Sequence, residues 1–387
     1  MLHPQVRRPS WPRILLGLLF LALVCAAGIF LVPRLRPAGE NPPSGKQPPE
    51  IWRASLGQPF PVAALATGDT LACLQEQGNS QIIQIDGTGK IGWKEALPGK
   101  PAGTRPTSRG ILVFAPTYVR FYGVRGLVWQ YKPDMQVTWA FPAEDGGAVI
   151  SFDTDDPDPR EGPFSERVSY LDPKGKKVWD KSARDRTLFS ADSSADGETL
   201  VTVSLSQASG AEAIFTLYKR NGTVLGEYRG AGNLFGAARV APAGDMTVMG
   251  FADRVSAVSA AGRWSYQLDG EATGLGLSGQ KDSLVLVKPK ARNPVLDLLA
   301  GCYLVSISPG GTRNWQQKLP TGSYGLWVDS ATGRAVVATP DGLKGYDSGG
   351  VQSWETRTPS AVRAISFFKD GSFLAVLISG TLIHYGR

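Results

Sequence analysis

The stretch "GGTRNWQQ" at residues 310–317 joins a glycine-rich turn to a tryptophan, and closely similar stretches recur along the chain. The clearest copies are "GTGKIGWKE" (87–95), "PKGKKVWDK" (173–181) and "SGGVQSWET" (348–356). An alignment on the turn glycine places these residues four positions later: Trp93, Trp179, Gly226, Tyr266, Trp315 and Trp354. A seventh copy, "GVRGLVWQY" (123–131), is one residue shorter and contains Trp129. A phrase repeated this often indicates one structural unit built several times.

The segments between the copies carry a regular strand pattern. Each tryptophan is followed by an apolar stretch, a polar or glycine turn and a second apolar stretch, as in "AISFFKDGSFLAVLI" (364–378). A third strand then leads into the next turn and its tryptophan. Successive turn glycines are 37 to 49 residues apart, which is the repeat length of a four-stranded propeller blade. The pattern therefore predicts an all-β chain of antiparallel meanders.

The two ends of the repeat region complete one another. Trp52 in "IWRASLG" resembles the start of a tryptophan strand, while the last stretch, 361–387, supplies three strands and lacks the fourth. We therefore predict eight four-stranded blades over residues 51–387, with the last blade closed by the N-terminal strand. The large rings that we expect to cover the joints between blades are Trp52, Trp93, Trp129, Trp179, Trp315 and Trp354.

Three copies also carry an aspartate at the start of the turn. "IDGTGKIGW" (85–93), "LDPKGKKVW" (171–179) and "YDSGGVQSW" (346–354) resemble the repeat of pyrroloquinoline-quinone-type (PQQ-like) propellers, with Asp86, Asp172 and Asp347 at the aspartate position. This resemblance covers residues 51–387 and implies an eight-bladed propeller with tryptophans docked between blades. The family includes quinoprotein dehydrogenases and non-catalytic scaffolds.

The segment before the repeats has a different composition. After a short basic tail (1–13), Ile14 to Val32 is an apolar run of 19 residues, which at about 1.5 Å per residue is close to the thickness of a bilayer core. A cleaved signal peptide is the alternative, but the run continues beyond the small residues at 25–27. We predict a transmembrane anchor at 14–32, followed by a proline-rich linker at 33–50.

The charge distribution bears on partners and location. Residues 1–50 contain six basic and two acidic side chains, whereas the remaining 337 residues contain 35 basic and 32 acidic ones. A nearly balanced domain gives no electrostatic reason to expect nucleic acid as a partner. We expect a single-pass plasma-membrane protein whose propeller lies on the extracytoplasmic side, with the basic tail inside.

The sequence offers few residues for catalysis. The two histidines are His3 and His384, so a zinc site, a Ser-His-Asp triad or a Cys-His pair lacks its central residue. Cys25, Cys73 and Cys302 are far apart, and the vicinal cysteine pair of quinoprotein dehydrogenases is missing. The acidic stretch "FDTDDPDPREG" (152–162) is interpreted as a solvated loop, because it has no glycine where a calcium loop turns sharply. We expect no catalytic residue, no metal and no cofactor.

Two long connections join the second and third strands of their blades and therefore lie on one face of the ring: about 153–166 and about 289–301. In the second, basic residues precede an apolar tip, so it could either dock a partner or fold back over the ring. The residues of this possible partner-binding loop are Arg292, Val295, Leu296, Leu298 and Leu299.

These observations favour a membrane-anchored, monomeric, non-catalytic propeller that binds a protein partner at the cell envelope. One alternative is a sensor whose central channel binds a small ligand. Another is a hydrolase or lyase that uses carboxylates of the channel.

Overall fold

A computed structural model describes residues 47–56, 59–65, 67–76, 79–153, 166–183, 186–206, 212–230, 235–290 and 301–387. Among these residues, no helix is both long enough and apolar enough to cross a membrane. The predicted tail at 1–13, span at 14–32 and most of the linker at 33–50 lie outside the described residues.

The described chain is built from short strands. The first sixteen are β1 (Glu50–Ser55), β2 (Pro59–Ala64), β3 (Thr70–Glu76), β4 (Asn79–Ile85), β5 (Ile91–Ala96), β6 (Gly103–Pro106), β7 (Ile111–Ala115), β8 (Tyr118–Gly123), β9 (Gly126–Tyr131), β10 (Val137–Pro142), β11 (Ala148–Asp153), β12 (Glu166–Leu171), β13 (Lys177–Ala183), β14 (Arg186–Ser193), β15 (Thr199–Ser206) and β16 (Glu212–Lys219). The second sixteen are β17 (Val224–Gly230), β18 (Ala237–Val240), β19 (Met246–Gly250), β20 (Arg254–Ser259), β21 (Gly262–Gln267), β22 (Gly270–Leu277), β23 (Ser283–Pro289), β24 (Tyr303–Ile307), β25 (Arg313–Lys318), β26 (Gly325–Val328), β27 (Ala335–Thr339), β28 (Gly342–Tyr346), β29 (Gln352–Arg357), β30 (Val362–Phe367), β31 (Phe373–Leu377) and β32 (Thr381–Tyr385).

These strands form eight four-stranded antiparallel sheets, which are the blades of a propeller. Blade 1 is β2–β5, and each following group of four strands forms the next blade up to β26–β29, which is blade 7. Blade 8 has the order β1-β32-β31-β30, so the N-terminal strand supplies its outer edge. The first strand of every blade contacts the first strand of the next, and β2 contacts β30, so the ring is closed. The predicted eight-bladed, all-β fold is confirmed.

Burial explains why the strands of one blade differ in sequence. The second strand of blade 2, "ILVFA", is buried at every position because neighbouring blades cover both of its faces. The outer strand of blade 1, "IGWKEA", alternates between exposed and half-buried positions. Continuous apolar runs therefore mark the inner part of a blade, whereas alternation marks its outer edge.

The core lies between blades rather than within them. Leu374, Val376 and Leu382 of blade 8 share one apolar cluster with Ala72 and Ile83 of blade 1. Similar clusters join the other neighbouring blades, for example blades 2 and 3. Each blade is thus stable only against its neighbours, as in other repeat architectures.

The meander gives the ring two distinct faces. We call the hairpin face the one that carries the turns between first and second strands and between third and fourth strands, such as 143–147 and 172–176. The crossover face carries the connections between second and third strands and those between blades. Because β1 is the fourth strand of blade 8, it begins at the hairpin face.

Candidate functional site

The tryptophans of the outer strands rest on turns of the following blade. A Cβ atom added to the turn glycine of that blade would lie about 2.5–3.0 Å from the indole in five cases. The pairs are Trp52 on Gly89, Trp129 on Gly175, Trp179 on Gly222, Trp264 on Gly311 and Trp315 on Gly350. In all five, the glycine also has a positive φ, between 74° and 86°, which side chains disfavour. Backbone conformation and close ring contact therefore both require glycine.

Several of these rings are also held by a hydrogen bond to the next blade. The indole N–H groups donate to backbone carbonyl oxygens at 2.7–2.9 Å; the pairs are Trp93 to Val124, Trp129 to Gly146, Trp264 to Pro309 and Trp315 to Ser348. The indole N–H groups of Trp52 and Trp179 have no partner in the described part of the chain. The polar end of the ring thus fixes its position at some joints, whereas packing alone does so at others.

Two joints differ from the sequence alignment. In blade 5 the docked ring is Trp264 and not Tyr266, because a two-residue hairpin between Ser259 and Gly262 brings the tryptophan two positions closer to the glycine. In blade 4 the tryptophan position is Gly226, and the ring of Tyr228 lies over it. Arg263 of blade 5 stacks on Tyr228 at 4.9 Å. An alignment that allowed hairpins of different length would have identified Trp264.

The last joint lacks a turn glycine. Trp354 stacks on Phe373 of blade 8 with ring centroids 5.3 Å apart and an interplanar angle of 9°. In this blade the third and fourth strands, β32 and β1, are not joined by a turn, and Gly386 N instead donates to Pro49 O at 2.7 Å. An aromatic stack takes the place of the contact between ring and turn.

The aspartates of the repeat organise these turns. Asp86 Oδ1 accepts hydrogen bonds from the backbone N–H groups of Thr88 and Lys90 and from the Thr88 hydroxyl. Asp172 and Asp347 each accept two backbone N–H groups in the same way. The hydroxyl of Thr88 and these backbone donors lower the pKa of Asp86. The repeat aspartates are therefore turn-forming residues.

A carboxylate near the channel also has a structural partner. Asp192, near the end of the first strand of blade 4, accepts the N–H of Val240 from blade 5 at 2.8 Å. Ser366 of blade 8 accepts the N–H of Ala64 from blade 1 in the same manner, at 2.9 Å. Burial raises the pKa of Asp192 to about 6, although Arg239 and the Val240 N–H oppose this shift. Its oxygen therefore links two blades.

His384 lies inside the closing blade and is 6% exposed. Its ring lies between Phe368 and Trp52, at centroid distances of 4.5 and 5.5 Å. Its Nε2 is 3.0 Å from the hydroxyl of Ser372, which donates to Asp370 at 2.6 Å. Because this buried serine gives its proton to the aspartate, the arrangement does not form a nucleophilic triad. His384 is a core residue at the ring closure.

The cysteines and carboxylates of the described residues form no disulfide and no metal site. Cys73 and Cys302 are buried, free and in different blades, and burial raises the pKa of Cys73 to about 12. The described residues contain no group of three or more His, Cys, Asp or Glu side chains that could hold a metal ion. The acidic stretch at 154–162 lies outside them.

An exposed apolar patch is present on the crossover face of blades 7 and 8. Tyr324 is 44% exposed and Ile378 is 65% exposed. The Tyr324 hydroxyl accepts the N–H of Val362 at 2.8 Å, and the N–H of Ile378 donates to Ala361 O at 2.9 Å. The Tyr324 side chain and the Ile378 backbone are therefore both bonded to residues 361–362, at the start of β30. We call these two residues, with the exposed Ala361, the blade 7–8 patch.

The strands that flank the predicted partner-binding loop, β23 and β24, meet it at the crossover face. Arg292, Val295, Leu296, Leu298 and Leu299 lie outside the described residues, between β23 and β24 of blade 6. Trp139 is another exposed aromatic residue near the crossover face, at the start of the first strand of blade 3, and is 37% exposed. It lies four blades away from blade 7 and therefore does not belong to the blade 7–8 patch. No signal in the sequence repeat singled out Tyr324 or Ile378, because neither belongs to the repeated phrase.

Neither a protein-family model nor a curated protein matches the chain. Among solved structures, it is similar to BamB from Moraxella catarrhalis, with a TM-score of 0.58 and 13% identity over 88% of this chain and 100% of that one. The Dos1 propeller has a TM-score of 0.58 and 10% identity, over 88% and 94%. Sqt1 of Chaetomium thermophilum, bound to the N-terminus of ribosomal protein L10, has a TM-score of 0.59 and 12% identity, over 88% and 100%. At such low identity these likenesses establish the fold alone: the chain is an eight-bladed propeller.

Proposed function

We propose that the chain is a membrane-anchored, non-catalytic propeller of the PQQ-like type that binds a protein partner through its crossover face. The observation that carries this proposal is the blade 7–8 patch, where Tyr324 and Ile378 are both exposed on the crossover face. Tyrosine combines a large apolar surface with a polar tip and is enriched at protein interfaces.

The hydrogen bonds beneath the patch support this role. The Tyr324 hydroxyl is bonded to the Val362 N–H and the Ile378 backbone to Ala361, and the hydroxyls of Ser360 and Ser379 lie 3.0 Å apart beside them. A surface already held in one conformation loses little entropy when a partner binds. Sqt1 further supports the proposal, because its structure shows that a propeller of similar fold can bind a protein terminus.

The partner surface can be tested by photo-crosslinking in the native membrane. A photoreactive phenylalanine analogue at Ile378 should give a discrete crosslinked product whose second component is one protein. The matched control is Ala331, an exposed residue in a hairpin-face turn of blade 7. Identical product patterns at both positions would contradict a specific interface on the crossover face.

A pair of charge substitutions provides a second test. Ile378→Glu should abolish the crosslink formed from a probe at Tyr324, because it places a charge in the apolar contact. Ala331→Glu adds the same charge on the opposite face and should leave the crosslink unchanged. Both variants should melt at the wild-type temperature, since both positions are exposed.

The anchor is a separate part of the proposal. The apolar run from Ile14 to Val32 is long enough to span a bilayer. After alkaline carbonate extraction of membranes, we expect the full chain in the pellet and a chain that starts at Gly45 in the supernatant. Recovery of the full chain in the supernatant would exclude a membrane span.

A further inference from the structure

Exposed aliphatic side chains recur at the outer rim of the hairpin face. They follow the turns between third and fourth strands in blades 1 to 4, and each is 42–56% exposed. These residues, which we call the rim arc, are Ile91, Leu127, Val128, Val178, Val224 and Leu225.

The fold does not require aliphatic residues at these positions. Ile91 is two residues before the docked Trp93, and the matching residue of blade 6 is Arg313, two residues before Trp315. In blade 5 the residue directly before Trp264 is Arg263. Blade 6 thus forms the same turn, and blades 5 and 6 both form the same tryptophan contact, with charged residues at the rim. Val351 of blade 7 and Ile51 of blade 8 are also exposed aliphatic residues shortly before an outer-strand tryptophan. What distinguishes the rim arc of blades 1 to 4 is that its turns also carry cations.

Cations accompany the aliphatic residues. The turns of the same four blades contain five exposed basic residues that form no ion pair within the described chain: Lys90, Arg125, Lys174, Lys176 and Lys219. The carboxylates in these turns are Asp86 and Asp172, and both accept backbone N–H groups. The outer turns of blades 1 to 4 therefore carry excess positive charge beside exposed apolar groups.

The chain also reaches the propeller at this rim. β1 begins at the hairpin face as an outer strand, directly after Pro49, and Trp52 of β1 lies on Gly89 in the turn that precedes Ile91. The sequence before β1 contains the apolar run from Ile14 to Val32. The point where this segment joins the propeller therefore lies at the outer edge of the hairpin face, as the rim arc does.

We propose that the rim arc docks on an anionic phospholipid surface, with the aliphatic side chains inserted among headgroups and the cations beside lipid phosphates. Cations beside one or two aliphatic residues in each turn suit a lipid surface, which needs no shape complementarity, and basic clusters near a membrane favour anionic lipid. The docking uses the rim and not the blade 7–8 patch, so it does not depend on the protein partner.

The test uses the full chain reconstituted into vesicles, with Cys25→Ser so that Cys73 and Cys302, both buried, are the remaining native thiols. An environment-sensitive dye is attached either at Ile91→Cys or at Arg313→Cys, its matched position in blade 6. When phosphatidylglycerol is added to phosphatidylcholine vesicles, we expect a blue shift and a roughly twofold rise in emission at Ile91→Cys. The emission at Arg313→Cys should stay unchanged.

Charge reversal provides the control for mechanism. Lys90→Glu, Lys174→Glu and Lys176→Glu together should remove the response at Ile91→Cys without a change in melting temperature, since all three side chains are exposed. An equal response at both dye positions, or a response independent of phosphatidylglycerol, would overturn the proposal. So would a response that needs a protein from the native membrane, because the occupant of the rim would then be a protein.

Discussion

At the scale of single residues, the turn glycines combine two constraints that can be separated by mutation. Gly350 has a φ of 82°, and an added Cβ would lie 2.5 Å from Trp315. Gly68 has a φ of 88° with open space around it. Gly68→Ala should therefore cost only the backbone strain, about 1–2 kcal/mol. Gly350→Ala should lose a further 1–3 kcal/mol, roughly, from overpacking. Urea denaturation would measure both, and equal losses would mean that Trp315 moves away without cost.

Single residues also show where sequence reasoning succeeds and where it fails. Gly311 and Trp315 are identified by a fixed spacing, because an identical turn gives an identical spacing. The fixed spacing does not identify Trp264, because the hairpin before it is shorter and the tryptophan is only two residues after Gly262. The proximity of Tyr324 and Ile378 depends on how loops of two blades meet around residues 361–362. No local sequence pattern predicts this contact.

At the scale of elements, β1 decides whether the last blade is complete. A chain that begins at Gly45 keeps β1, the Pro49–Gly386 hydrogen bond and the contact of Trp52 with Gly89. A chain that begins at Gln58 loses all three and exposes the edge of β32. The loss of a fully buried tryptophan costs about 3–5 kcal/mol, and the partly buried Trp52 should account for a share of that. We expect the longer chain to be a soluble, cooperatively folding monomer and the shorter one to aggregate or melt far lower. Equal melting temperatures in calorimetry would show that β1 does not stabilise the ring.

The same closing sheet should respond to pH through His384. Burial lowers the pKa of His384, although Asp370 opposes the shift. Below its ordinary value of about 6.5, the unfolded chain therefore binds more protons than the folded one. The stability that depends on neutral His384 is complete above about pH 6.5 and decreases as the pH falls toward the lower folded value.

His384→Gln should remove this dependence, which denaturant titrations between pH 7 and pH 5 can measure. Asp192 acts in the opposite direction in part of this range, because its pKa is raised to about 6 and ionisation of its buried carboxyl disfavours folding. The difference between wild type and His384→Gln is therefore the quantity to compare. If that difference does not vary with pH, His384 is not linked to stability.

At the scale of the whole molecule, the ring is a closed series of joints that are not equally strong. The joint between blades 4 and 5 has Tyr228 over Gly226 in place of a docked tryptophan. We expect hydrogen exchange by mass spectrometry to show the least protection in β17 and β21, on the two sides of this joint. Uniform exchange across the outer strands would show that Tyr228 and Arg263 seal the joint as well as tryptophan does.

The sequence predicted the architecture of the whole molecule better than its surface. Because the pattern recurs in every blade, one irregular copy, such as Gly226 in place of tryptophan, does not change the number of blades that the sequence predicts. Function depends on residues outside the repeat, and each such residue occurs once. The two surfaces proposed here, the blade 7–8 patch and the rim arc, therefore emerge only when the blades are placed around the ring.

The pairing of β1 with β32 has a consequence for synthesis. About 330 residues separate the two strands, and at a synthesis rate of about 5–20 residues per second, β1 remains without its partner for roughly 15 s to a minute. During that time Ile51 and Trp52 belong to an unpaired strand, available to chaperones or to the strand edges of other nascent chains. Blade 8 can therefore close only at the end of synthesis, and until then the unpaired edge of β1 is open to incorrect pairing.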